Sequence, residues 1–187
     1  LLDSMGIQTT VLRGQMKETL NEYDIMTGTI KSIYNVVNMS KMNGEIGVII
    51  GPHGTNLTII DEMGNVLTAE DITAILSLYY LRYSYSKTIS LPVNTSNVIS
   101  RLIEDNGGSV KWTTTRLRIP DDSIDIFYGG KSRYPFLEQK IDPMITFLRV
   151  LEYLTLEQKE LYEVREVLPR TNLLNTTIQC TIDEKAA

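Results

Sequence analysis

The chain has 187 residues, 42% hydrophobic and 22% charged, so it can bury about 70% of its unfolded surface and reads as globular rather than fibrous or disordered. Eighteen Lys and Arg against 23 Asp and Glu leave a net charge of −5, which argues against a nucleic-acid partner or an anionic membrane surface. The single cysteine, Cys180, and single histidine, His53, exclude an intrachain disulfide and a four-ligand structural zinc site, and they fit a cytoplasmic location.

The opening LLDSMG followed by IQTTVLRG reads as a helix end, a glycine cap and a strand, and it resembles the middle of a fold rather than a natural start. Ile25, Ile30, Ile33, Val37 and Met42 recur near helical spacing, and Asn43-Gly44 closes that helix. EIGVII reads as a buried strand, and LTIIDEMGNVL as two short strands around a turn at Met63-Gly64-Asn65. Thr68 is placed to cap a helix whose first turn is acidic and whose apolar face is Ile72, Ile75, Leu76, Tyr79 and Tyr80. KTISLPV is a strand. A helix capped by Asn94 or Thr95 follows, ending at Gly107 or Gly108. SVKWTTT and SIDIFYGG are further strands, DPMITFLRVLEYLT is a helix with Pro143 in its first turn, and LEQKELYEVREVL is a short last helix. Strands that alternate with helices over residues 45–155 indicate an α/β protein with a largely parallel sheet. No apolar run approaches the roughly 20 residues of a membrane helix.

Two loops are candidates for chemistry. GPHGTN, residues 51–56, joins two apolar strands, yet it has no carboxylate, lysine or arginine. His53 has no partner within that loop, which favours a solvated loop histidine over a general base. The loop is neither a P-loop nor a dinucleotide fingerprint, because no Gly-Lys-Ser/Thr follows it and a strand comes next. In YGGKSRYPF, residues 128–136, the glycines end a predicted strand, where open α/β sheets bind ligands. Lys131 and Arg133 could grip an anionic or hydroxylated ligand, with Ser132 as a donor, or form an ordinary solvated turn. The adjacent carboxylates Asp61-Glu62 and Asp121-Asp122 read as solvated turns, since neighbours on a strand point to opposite faces. Trp112 and the tyrosines Tyr79, Tyr80, Tyr83 and Tyr85 read as packing residues.

The stretch GVIIGPHGTNLTIIDEMGNVLTAEDI resembles the α-D-phosphohexomutases, which include phosphomannomutase and phosphoglucomutase. Their metal loop, D-G-D-x-D-R, follows an apolar strand and precedes L-x-(V/I)-(V/I)-D-E-x-G-x-(V/I)-(L/I)-x-x-D. The flanks match at Gly47 to Ile50 and at Leu57, Ile59, Ile60, Asp61, Glu62, Gly64, Asn65, Val66, Leu67 and Asp71. The loop does not. The family's three magnesium-binding aspartates fall on Gly51, His53 and Thr55, and its arginine falls on Asn56, so the resemblance implies a degenerate loop that holds no metal. The family's sugar-recognition motif, G-E-x-S-G-H, falls on Gly129, Gly130, Lys131, Ser132 and Arg133, with lysine in place of glutamate.

The resemblance implies a three-layer α/β/α domain with a mixed, mostly parallel sheet. Residues 1–44 would end a second mutase-like domain, 45–155 would form the third, and 156–187 would be a linker helix and the start of a fourth. It implies no catalytic residue and no cofactor in this chain, although the family uses magnesium. The expected partners are the remaining domains of a parent chain and a hexose phosphate, with self-association open. Mutase-like regions with eroded motifs also follow the catalytic domains of some mannose-1-phosphate guanylyltransferase-like sugar nucleotidyltransferases, which makes such a protein one expected parent. An active phosphomannomutase or phosphoglucomutase is the alternative.

Overall fold

The computed structural model describes residues 2–11, 22–51, 54, 56–84, 87–114 and 132–170. Its first turn is a 3₁₀ helix, Asp3–Met5, closed by the Ile7 N–H donating to the Leu2 carbonyl at 3.1 Å. Ile7 to Val11 belong to no strand, unlike the sequence expectation. Helix α1, Glu22–Asn43, ends where the Gly44 and Glu45 N–H groups both donate to the Ser40 carbonyl.

Strands β1, Gly47–Ile50, and β2, Leu57–Ile60, form an antiparallel pair in the register Gly47↔Ile60 to Ile50↔Leu57. A tight loop between consecutive strands permits no other direction. The hairpin lies directly against α1, because a Cβ at Gly47 would overlap the side chains of Val36 and Ser40.

Helix α2, Ala69–Tyr83, begins at a reciprocal cap. The Asp71 N–H donates to Thr68 Oγ1 at 3.1 Å and the Thr68 N–H to Asp71 Oδ2 at 2.8 Å. The expected apolar face is buried, except that Tyr79 is only partly so, and burial extends round the helix to Thr73, Ala74, Ser77, Leu78 and Leu81. Three later helices surround α2, so its polar positions need internal partners: Thr73 Oγ1 donates to the Ala69 carbonyl and Ser77 Oγ to the Thr73 carbonyl.

Strand β3, Thr88–Pro92, is followed by helix α3, Asn97–Asp105, and strand β4, Ser109–Thr113. The α3 cap is Ser96, whose Oγ accepts from the Val98 N–H at 3.3 Å; Asn94 and Thr95, the expected caps, fall in the preceding turn. Strand β5, Ser132–Arg133, completes a parallel sheet in the order β4-β3-β5. Trp112 is 44% exposed rather than packed, on the strand that stands at the edge of that sheet among the described residues. The strand expected over 123–130 lies outside the described residues.

Helix α4, Pro135–Ile141, was not expected. Helices α5, Pro143–Glu157, and α6, Leu161–Val167, were. Asp142 Oδ1 accepts from the Ile145 N–H at 3.0 Å, and Pro143 opens α5 as expected. One core joins Ile59 and Leu67 to Ile75, Leu76, Ile89, Leu91, Ile103, Val150, Leu154, Leu161 and Val164. The fold is α/β, and parallel and antiparallel pairings coexist, divided between two sheets among the described residues.

Candidate functional site

The β1–β2 hairpin carries the first candidate loop. The Gly51 N–H donates to the Asn56 carbonyl at 2.9 Å, and the Gly54 N–H to the Gly51 carbonyl at 2.9 Å. A Cβ at Gly51 would stand 3.1 Å from the Asn56 Cβ, so a side chain there needs Asn56 to yield. Gly51 is partly buried and Asn56 exposed. His53 and Thr55 lie outside the described residues.

Beyond β2, Asp61 and Glu62 are both buried, which corrects the reading of this pair as a solvated turn. Asp61 Oδ1 accepts from the Met63 N–H at 3.0 Å, the Asn65 N–H at 2.7 Å and Asn65 Nδ2 at 3.1 Å, while Oδ2 accepts from Asn65 Nδ2 at 2.9 Å. The turn it closes needs Gly64, whose φ is +81° and whose absent side chain leaves room for Val37 and Lys41 of α1. Glu62 reaches the far end of the chain: its Oε1 accepts from the Leu161 N–H at 3.1 Å and its Oε2 from the Tyr162 N–H at 3.0 Å. One carboxylate thus caps α6 and fastens it to the hairpin.

Beside it, the exposed Glu160 carboxyl is pushed above the usual carboxylate range, chiefly by the Glu62 charge. A raised folded-state value means that its contribution to stability is full below the unfolded value and is lost as pH rises through the folded one. Glu160→Gln is therefore expected to raise Tm by about 1–2 °C near pH 7, a small gain because the group is solvated, and by nothing near pH 4. Thermal unfolding at the two pH values checks it; an equal shift at both removes Glu62 as the cause.

The second candidate region is β5. Ser132 pairs with Thr88 and Arg133 with Ile89, so both belong to a strand rather than to the loop after one. The open side of β3 supplies that pairing. Gly129, Gly130 and Lys131 lie outside the described residues. Arg133 turns onto the protein: its guanidinium carbon is 5.2 Å from the Tyr80 ring centroid, and its Nη2 is 3.5 Å from Ser84 Oγ. The Tyr80 hydroxyl donates to Glu138 Oε2 at 2.5 Å, and Arg149 pairs with the same oxygen while lying 5.3 Å from the same ring. Burial first, and then the Glu138 charge, push the Tyr80 hydroxyl far above its ordinary range. Tyr79, partly exposed, is pushed up to about 12 by burial and by its bond to Glu152.

Among the described residues no three His, Cys, Asp or Glu side chains gather as a metal site, and no helix is long and apolar enough to cross a membrane.

No family model matches the chain. Phosphoglucosamine mutases of Methanococcus aeolicus and Methanocaldococcus jannaschii are each 24% identical to it over 165 residues, covering 84% and 83% of this chain and 36% and 37% of theirs. A phosphomannomutase of Methanocaldococcus jannaschii is 28% identical over 144 residues, covering 73% of this chain and 32% of its own. A solved structure from Thermus thermophilus, described as a putative phosphomannomutase, superposes with a TM-score of 0.59 at 17% identity over 74% of this chain and 34% of that one. The chain is phosphohexomutase-like in sequence and fold. It spans about a third of the length of the curated relatives it matches.

Within this phosphohexomutase-like chain, sequence reasoning located both candidate loops and read Tyr80 as a packing residue, but missed Glu138 and Arg149, to which its hydroxyl end is tied. One signal was present. Arg149 interrupts the apolar run of α5, and an arginine inside such a run needs a buried acid. Gln139 was missed for a similar reason. It is buried and donates to Thr73 Oγ1 at 2.9 Å, tying α4 to α2.

Proposed function

We propose that this chain is the third-domain portion of a phosphohexomutase-like protein whose metal loop is degenerate. Its remaining work is to hold a hexose phosphate at the β5 end and to pack against the other domains of its parent. The observation that carries this reading is the closure of the 51–56 loop. A glycine and an asparagine face each other across it where the family resemblance puts an aspartate and an arginine, and a side chain at Gly51 would need Asn56 to yield. Magnesium takes hard oxygen ligands, carboxylates above all. Gly51, His53, Thr55 and Asn56 offer no carboxylate, so this set does not fit the ion, and no step of a reaction is derived through it.

Titration calorimetry tests the reading. The chain is expected to take up mannose 6-phosphate or glucosamine 6-phosphate saturably, and to show no heat with magnesium. The variant combining Gly51→Asp, His53→Asp and Thr55→Asp is expected to gain magnesium affinity of about tenfold or more. Magnesium binding by the unaltered chain would overturn the degenerate loop, and an unchanged titration in the triple variant would overturn the alignment of its ligands.

The names of the relatives favour a second reading, in which the parent is an active mutase that interconverts hexose 1- and 6-phosphates. Magnesium-dependent turnover by the natural full-length product decides between them. The mass of that product also tests the finer form of the first reading, a parent that carries a sugar nucleotidyltransferase module.

A further inference from the structure

The sequence holds two Asn-Gly pairs, Asn43-Gly44 at the end of α1 and Asn106-Gly107 at the end of α3, and neither belongs to a candidate loop. All four residues are exposed. An asparagine followed by glycine can react with its own backbone, because no side chain on the second residue shields the attacking nitrogen. That nitrogen must first leave its hydrogen bond and swing toward the asparagine Cγ, so local opening sets the rate.

The two pairs differ in what opposes the swing. Asn106 Nδ2 donates to the Leu102 carbonyl at 2.8 Å, which folds the side chain back over α3. The Gly107 N–H donates to the Glu104 carbonyl at 2.9 Å. Asn43 Nδ2 instead reaches Glu45 Oε2 at 3.4 Å, beyond ordinary hydrogen-bond length. The Gly44 N–H donates to the Ser40 carbonyl at 2.8 Å, but the Glu45 N–H donates to the same oxygen at 3.2 Å, so releasing Gly44 leaves that carbonyl satisfied. Open space surrounds both glycines, yet the chain beyond them is held unequally. Glu45 is exposed, whereas a Cβ at Gly108 would stand 2.5 Å from Leu81 Cδ2.

We propose that Asn43 is a site of spontaneous deamidation and that the fold protects Asn106 from the same reaction. The Gly44 nitrogen bonds to Asn43 Cγ, the Cγ–Nδ2 bond breaks, and the Gly44 amide proton leaves with Nδ2 as ammonia. Water then opens the succinimide. Addition at Cγ gives aspartate, and addition at the main-chain carbonyl gives isoaspartate; nothing is oxidised or reduced. Either product puts a negative charge near Glu45 at the C-terminal end of α1, where the helix dipole disfavours it. Isoaspartate also adds a methylene to the main chain between α1 and β1. The hairpin leans on α1 at Gly47 and Gly64, so the change falls on the short link that seats one on the other.

The test incubates the 187-residue chain in mildly alkaline buffer, with and without urea, and follows both pairs by peptide mapping and isoaspartate labelling. In the folded chain Asn43 is expected to convert about tenfold faster than Asn106, or more. In urea the two are expected to convert within about threefold of each other, since the difference lies in the fold. Equal rates in the folded chain, or a faster Asn106, overturn the proposal. A ratio that persists in urea overturns it as well, because its cause is then the neighbouring sequence and not the structure. In the converted chain the Glu45 amide, bonded to Ser40, is expected to exchange its hydrogen about tenfold faster or more. Unchanged exchange there overturns the claim that the link between α1 and β1 is disturbed.

Discussion

Arg149→Met is expected to destabilise the fold by about 3–5 kcal/mol, the range found when one partner of a buried ion pair is removed. Glu138 is 1% exposed, and its Oε2 takes both the Tyr80 hydroxyl and the Arg149 guanidinium. Its Oε1 has no hydrogen-bond partner among the described residues. Without Arg149, a carboxylate in this position keeps one neutral donor and no counter-charge. The loss follows from that stranded charge rather than from the pair's own worth, so the double variant Glu138→Leu/Arg149→Met is expected to recover most of it. Urea unfolding of the three proteins checks this. A single variant within about 1 kcal/mol of the parent would overturn the stranded-charge account.

Glu62→Ala is expected to cost about 2–3 kcal/mol, most of it local to α6. Two backbone N–H groups at the start of that helix, Leu161 and Tyr162, would lose their only described acceptor, and Leu161 is fully buried. A negative charge at a helix N-terminus would be lost with them. Hydrogen exchange reads the effect directly: the Leu161 and Tyr162 amides should exchange about 30- to 100-fold faster, while amides in α2 change far less. Glu62→Gln, which keeps an acceptor without the charge, should fall between. Unchanged exchange at both amides would show that α6 is held by its apolar face alone, through Leu161, Val164 and Leu168.

The features legible in the sequence are those whose cause lies within a few residues. Thr68 caps α2 as expected, and Asp71 of the expected acidic first turn returns the bond from three positions on. The two strands on either side of residues 51–56, the end of α1 and Pro143 at the start of α5 were equally local, whereas the antiparallel pairing of those strands was not among the expectations. Helix α4 was hidden because its seven residues are too few to be helical on their own; it is held by Glu138 and Gln139, which reach α2 and α5. The burial of Asp61-Glu62 was hidden for the same reason. An acidic pair after a strand looks like solvated surface until the chain returns about a hundred residues later to place Leu161 and Tyr162 over it. At the candidate site, the flanks of the 51–56 loop were legible because they form a pattern. The inward turn of Arg133 was not, because the ring it rests on belongs to a different element.

The bond that closes the loop, from Gly51 to the Asn56 carbonyl, has a consequence for how such a chain can drift. The flanks answer to the core: Ile59, Ile60, Asp61 and Glu62 are buried, and each exchange there is felt as lost stability. The residues between Gly51 and Asn56 carry no such share of the core described above. Once selection for the ligand lapses, the clasp lets the loop accumulate exchanges at little cost to folding, while the strands on either side stay recognisable. A hairpin of this kind keeps its flanks recognisable even where its loop changes. It also makes the segment a natural graft point, into which a foreign binding loop could be set without disturbing the domain that carries it.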